Sequence, residues 1–403
     1  MIKISTTKLI ERPHLLQLLF LIAFCPLLGE SYRLPNLPLA TFIFVVSIYC
    51  IANIGRCRVF LKDFSSLRYY LASLVLFLLG TSVIALKTNS KYWILIDLVP
   101  FYFFCAGLYL GWAYSELVNI KALFQIFLTI MLFVAIKKIA IIYFQIQPTW
   151  DGLSFFSGIK SDLLYGMPRI ILKGETPFLV AAFFINAAYL YKNVEFSWTK
   201  LVSIILFILL IMTNRTRSLC IGICISFVIC IYCSVQLKNI RSFRSISMLL
   251  IFVFLIVLLG LFVLSYGVQH QVIGIGYRVN EMMSVFKAVD GSIIFGLLPG
   301  AGYYYAGSDV GVGVQDNYVH FLPVWLYLKG GLVFLMLFYI FMIKIVGHKI
   351  KFIDEYALSL SPILVVLGIF LGLIFTDIMT NQFASISGSF FLGFFGLYRP
   401  RLS

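Results

Sequence analysis

Apolar runs close to 20 residues long recur along the whole 403-residue chain, separated by short connections rich in basic residues or in glycine and proline. A helix of that length rises about 30 Å, the thickness of a bilayer's hydrocarbon layer. The pattern therefore predicts an all-α polytopic membrane protein, with residues 1–403 forming a single integral membrane domain. Twelve transmembrane helices are expected, at about 15–31, 37–54, 69–86, 92–114, 122–146, 177–191, 200–213, 218–236, 248–266, 321–346, 357–376 and 379–397. Two long polar interruptions stand out, 147–176 and 267–320, the second running into the apolar segment that carries Lys329. Within it, Val279, Met282, Met283 and Phe286 are spaced three and four apart and predict a short helix carrying Arg278. The run Phe295–Gly302 predicts a flexible turn at the membrane edge. It lacks the Lys-Ser/Thr of a phosphate loop and opens no α/β unit.

Composition strengthens this picture. The chain is 62% hydrophobic and only 12% charged, whereas a soluble domain carries roughly a quarter charged residues; its mean hydropathy is +1.02. Lys3, Lys8 and Arg12 precede the first apolar run with no small-residue cleavage site, so that run is expected to stay as a span rather than be removed. The net charge of +15 fits positive-inside topology and contact with lipid headgroups. Placing both termini in the cytoplasm puts the short basic connections there, among them Arg56, Arg58, Lys121, Lys192, Arg241, Lys349 and Arg399. The loops 147–176 and 267–320 then share the opposite face with the tight hairpin Thr213–Ser218. Because the basic residues are spread over many loops, no nucleic-acid partner is expected. The eight cysteines fall in spans or beside Arg56 and Arg58 and are expected to be packing residues, with no disulfide and no zinc site.

Candidate chemistry gathers on that opposite face. Arg215 and Arg217 lie between two apolar runs with almost no loop between them, where a guanidinium is costly unless paired or in a wet cavity. The planar fork of arginine suits a diphosphate. Arg278 is a second candidate phosphate ligand, with a surface pair to Glu281 as the alternative. His320 opens the next apolar segment and can accept a proton from a sugar hydroxyl near neutral pH; Asp316 is the second candidate base. Asp97, Lys137 and Lys138 fall inside predicted spans, where ionisable groups mark functional or paired sites. They leave a transporter reading open, as does a break of the helix at the two lysines.

Four stretches together resemble the O-antigen polymerase and O-antigen ligase family of bacterial envelope enzymes. They are Pro168-Arg169 through Gly174-Glu175-Thr176-Pro177, the hairpin Thr213-Asn214-Arg215-Thr216-Arg217-Ser218-Leu219, Gly276-Tyr277-Arg278 followed by Phe295-Gly296, and His320 followed by Leu328-Lys329-Gly330-Gly331-Leu332. The resemblance implies a metal-independent glycosyltransferase of the membrane-embedded GT-C type, with no cofactor. It sits in the bacterial inner membrane with its site on the periplasmic side. The implied donor is a glycan on undecaprenyl diphosphate. The implied acceptor is another glycan or lipid A–core, with membrane lipids and a chain-length regulator as further partners. Arg217 and Arg278 would hold the diphosphate and His320 would be the base, while Arg215, Arg169, Glu175, Asp316 and Asn317 would contact phosphate or sugar. Asp309 and Tyr303–Tyr305 are additional sugar contacts in this reading. Phe321 follows His320 where ligases of the family commonly carry asparagine, and Asp316-Asn317 precedes the span, a pattern closer to the polymerases. The ligase is the alternative, and a lipid-linked oligosaccharide flippase is a more distant one.

Overall fold

The computed structural model describes residues 60, 65–115, 120–146, 159–164, 167–172, 174–192, 197–214, 217–236, 272–305, 314–316, 318–355 and 362–399. These are mostly helical. In chain order they form α1 (Ser65–Ala85), α2 (Lys91–Ala113), α3 (Ile120–Tyr143), the hairpin strands β1 (Ile159–Leu164) and β2 (Met167–Leu172), α4 (Glu175–Lys192), α5 (Trp198–Asn214), α6 (Arg217–Gln236), α7 (Val272–Val289), the short strands β3 (Tyr303–Tyr305) and β4 (Val314–Asp316), α8 (Leu322–Glu355), α9 (Pro362–Met379) and α10 (Ile386–Leu397). Among the described residues, four helical segments are long and apolar enough to cross a membrane: Leu67–Ala85, Lys91–Ala113, Lys121–Tyr143 and Leu322–Ile350. Trp198–Asn214, Ser218–Cys230, Leu364–Met379 and Ile386–Leu397 are apolar but shorter. The expected spans at 15–31, 37–54 and 248–266 lie outside the described residues.

Small residues bring the central helices together. A Cβ on Gly107 would run into the backbone of Phe390, one on Gly111 into that of Phe394, and one on Gly393 into that of Phe104. The Gly107–Gly111 spacing thus lets the backbones of α2 and α10 touch, the use made of small-xxx-small patterns between membrane helices. Around this contact the interior is aromatic. Phe101 stacks on Trp325 at 5.9 Å, and the Phe383 ring lies 5.0 Å from that of Phe101 and 5.2 Å from that of Phe338.

Three buried polar links tie helices to connections. Lys138 lies within an unbroken α3, as the predicted span implies, so the alternative of a break at Lys137-Lys138 does not hold. Its Nζ lies 2.5 Å from Glu175 Oε1 and donates to Thr213 Oγ1 at 2.9 Å, while Glu175 Oε2 accepts from the Leu172 amide. That joins α3, the end of β2, the start of α4 and the end of α5. Asp97 of α2 pairs with Lys329 of α8 at 2.7 Å and accepts from the Gly300 amide at 2.6 Å, and Lys329 also donates to the Ala301 carbonyl. At the other end of α8, Lys349 donates to the Tyr398 carbonyl at 3.2 Å.

α8 is broken at Gly330 and Gly331, the latter at φ +63°. A break leaves backbone groups without helical partners. The turn 293–297 satisfies them: Leu297 N donates to Leu328 O at 2.8 Å, Leu332 N to Ile293 O at 3.0 Å and Val333 N to Ile294 O at 3.2 Å. A Cβ on Gly331 would strike the Ile294 carbonyl. The glycine-rich run read as a flexible turn is therefore bonded into the helix break. A second difference lies in 147–176, expected as a loop; it contains the β1–β2 hairpin, with Asp162 opposite Arg169.

Candidate functional site

The site forms where α7, the start of α8 and the turn after α9 meet. α7 is helical as expected. Val279, Met283 and Phe286 are exposed, and the buried stripe is Glu281, Val285 and Val289. The positions are four apart, so Glu281 sits on the interior line of the helix. A carboxylate there needs partners, and it has several. Glu281 Oε1 is 2.8 Å from His320 Nδ1 and accepts from the Tyr303 hydroxyl at 3.0 Å, while both its oxygens lie near the His320 amide at 3.3–3.4 Å. The Glu281 side chain is 1% exposed and that of His320 is 35% exposed. The Arg278–Glu281 surface pair is thus replaced by a buried Glu281–His320 contact.

Arg278 lies one turn before Glu281 on the same helix. Its Nη1 donates to the Met379 carbonyl at 2.8 Å, and its guanidinium carbon sits 5.6 Å from the centre of the Phe321 ring. The two groups singled out in sequence, Arg278 and His320, are therefore neighbours.

The turn after α9 completes the arrangement. Asn381 uses all four of its polar groups. Its amide donates to His320 O at 2.6 Å, its Nδ2 to Val319 O at 3.0 Å, its carbonyl accepts from the Tyr318 hydroxyl at 3.1 Å, and its Oδ1 accepts from Ala384 N at 3.2 Å. Three of these fix the segment 318–320, and the Tyr318 ring meets that of His320 edge-on at 5.2 Å. In the same turn Thr380 shares a hydrogen bond with Ser218, 2.8 Å between hydroxyls. Ser218 follows Arg217, the first residue of α6. The turn 379–381 thus links the helix opened by Arg217 to Arg278 and to the backbone of His320.

The other candidates are distributed around this centre. Arg169 lies in β2, and Asp316 in β4 opposite Tyr303. Glu175, expected at the substrate, has both carboxylate oxygens engaged, by Lys138 and by the Leu172 amide, and is 1% exposed. Its neighbours tie it to the base of the 213–217 hairpin. Tyr303, expected to offer its ring to a sugar or an interface, is buried with its hydroxyl on Glu281 and on the Tyr318 carbonyl. Arg215, Asn317 and Asp309 lie outside the described residues.

Asn381 escaped the sequence reading, and Glu281 was read only as a surface partner of Arg278. Glu281 had a detectable signal, a carboxylate four and eight residues before valines on a helix; Asn381 had none, being 62 residues from Val319. Chemically, the arrangement holds an imidazole by one nitrogen on a buried carboxylate. When Nδ1–H donates to Glu281, the lone pair of the neutral ring lies on Nε2. That is the state in which a histidine can take a proton, with a carboxylate placed to stabilise the imidazolium that results. No known family model matches the chain, and no curated protein is significantly similar to it.

Proposed function

We propose that this chain is an inverting glycosyltransferase that joins lipid-diphosphate-linked glycan units, a surface-polysaccharide polymerase of the bacterial inner membrane. The observation that carries this reading is the His320–Glu281 contact of 2.8 Å one helical turn from Arg278. A general base and a phosphate-matching cation within one helical turn are what transfer from a glycosyl diphosphate requires.

In this mechanism His320 Nε2 takes the proton of the acceptor hydroxyl. The freed oxygen attacks the anomeric carbon from the face opposite the leaving group. The bond from that carbon to the diphosphate oxygen breaks, and the electron pair leaves with the lipid diphosphate. Glu281 stabilises the imidazolium, and Arg278 with Arg217 balances the charge that develops on the diphosphate; interactions that strengthen as that charge grows lower the barrier. Undecaprenyl diphosphate as carrier, a periplasmic site, both termini in the cytoplasm and twelve spans belong to the same proposal.

The decisive test is the length distribution of surface polysaccharide in a strain carrying Arg278→Ala at normal protein level. A single repeat unit attached to core supports the polymerase. Glycan stranded on undecaprenyl diphosphate moves the assignment to the ligase. Unchanged polysaccharide removes Arg278 from the mechanism.

A further inference from the structure

The turn that plugs the break of α8 carries three adjacent apolar side chains that are about half exposed. Ile293, Ile294 and Phe295 are 46, 57 and 55% exposed. Three apolar residues in a row on a water-facing turn are costly, and an exposed apolar patch marks a surface made for something else.

Their place in the fold identifies what covers them. Hydrogen bonds from Leu332 and Val333 hold Ile293 and Ile294 against α8 just after its break. Below that point α8 shows an exposed apolar stripe of Leu332, Met336, Ile340 and Ile343. From Leu332 to Ile350 the helix has 350 − 332 + 1 = 19 residues, and at 1.5 Å per residue this is about 28 Å, close to the hydrocarbon thickness. The lower half of α8 alone therefore matches the bilayer, and Leu332 falls at its edge. Asp97 gives the same level independently: it holds the Gly300 amide from a position six residues inside α2, another helix of membrane-crossing length. The polar residues Lys287 and Asp290, both exposed, precede the apolar three in sequence, a charged stretch followed by an apolar one, as at an interface.

We infer that Ile293–Phe295 is an anchor buried in the acyl-chain edge of the bilayer, continuous with the lipid-facing stripe of α8. The polar loop is then fastened to the membrane at its middle. From the anchor the chain passes through Gly300 and Ala301, which bond Asp97 and Lys329, to Tyr303, whose hydroxyl rests on Glu281. The anchor so fixes the height of the Glu281–His320 pair above the lipid. This inference goes beyond the proposed activity and stands independently of it, since it concerns where the turn lies in the bilayer and not what chemistry the site performs.

Nitroxide accessibility tests it. The full chain, with its native cysteines replaced, is labelled at Ile294→Cys, at Met336→Cys on the stripe, and at the exposed polar position Asn280→Cys, and placed in phosphatidylglycerol–phosphatidylethanolamine vesicles. The ratio of oxygen collisions to collisions with a water-soluble nickel chelate at 294 is expected to match 336 and to exceed 280 several-fold. A ratio at 294 equal to that at 280 would show a turn in water and overturn the anchor. Accessibility to neither reagent would show a protein cover, from this chain or a second copy, and overturn it equally. Should the cysteine-replaced chain not fold, Phe295→Trp in the native chain gives the same decision. Added quenching by lipids brominated on the acyl chain is expected, and its absence contradicts the inference.

Discussion

Glu281 shows how much one residue's surroundings matter. It is placed by α7, buried to 1% of its side chain, and surrounded by the Tyr303 hydroxyl, the His320 amide and the His320 ring. Glutamine is nearly its shape and keeps an oxygen for Nδ1–H, but it cannot stabilise a positive imidazolium. Glu281→Gln is therefore expected to lower kcat at least about a hundredfold with KM little changed, measured as turnover of a lipid-diphosphate-linked oligosaccharide by purified protein. Turnover equal to that of the unsubstituted protein would mean that His320 does not act as the base. His320 stood out in sequence because it is a polar residue at the border of an apolar run, and Arg278 because it lies on a short helix within a long polar stretch. Glu281 was legible only as a charge three residues from Arg278, since its real partner lies 39 residues away. Asn381 illustrates the limit: nothing local distinguishes it from any other turn asparagine, and its role exists only through contacts with 318–320.

At the scale of elements, apolar runs predicted helices well because their length and composition are set by the span itself. The β1–β2 hairpin was missed for the opposite reason. Its strands are six residues long, do not alternate cleanly, and include Pro168, which sequence reasoning counts against a strand. Which face of α7 is buried was not legible, because Val279, Met283 and Phe286 form as good an apolar line as the one that is buried; periodicity reports that a helix has an apolar face, not what covers it. The lysines of α3 show the same gap between pattern and partner. Lys138 is wholly buried on Glu175 and Thr213. Lys138→Met leaves the Glu175 carboxylate without its cation and is expected to destabilise the protein by roughly 3–5 kcal/mol. Adding Glu175→Gln should restore much of the loss, both read as the thermal unfolding midpoint in detergent. Equal midpoints for the Lys138→Met single variant and the unsubstituted protein would show that the pair carries no stability.

For the whole molecule, the packing of α2 on α10 is a contact that admits little change. Any side chain on Gly111 enters the backbone of Phe394, and backbone cannot move aside as a flexible side chain can. Gly111→Val is therefore expected to destabilise by more than about 2 kcal/mol and to lower the unfolding midpoint, whereas the same change at Gly80, with nothing within 4 Å of a Cβ, should leave it nearly unchanged. A midpoint at Gly111→Val no lower than at Gly80→Val would contradict the close approach.

That contact also sets an order in time. α10 is the last of the described helices to be made, and Gly393 follows Gly107 by 393 − 107 = 286 residues. At about 5–20 residues per second, roughly 15–60 s separate them on the ribosome. During that interval the small-residue face of α2 waits in the membrane without its partner, and the turn 379–381 that grips His320 does not yet exist. The centre of the bundle and the candidate site are closed together, by the same late segment.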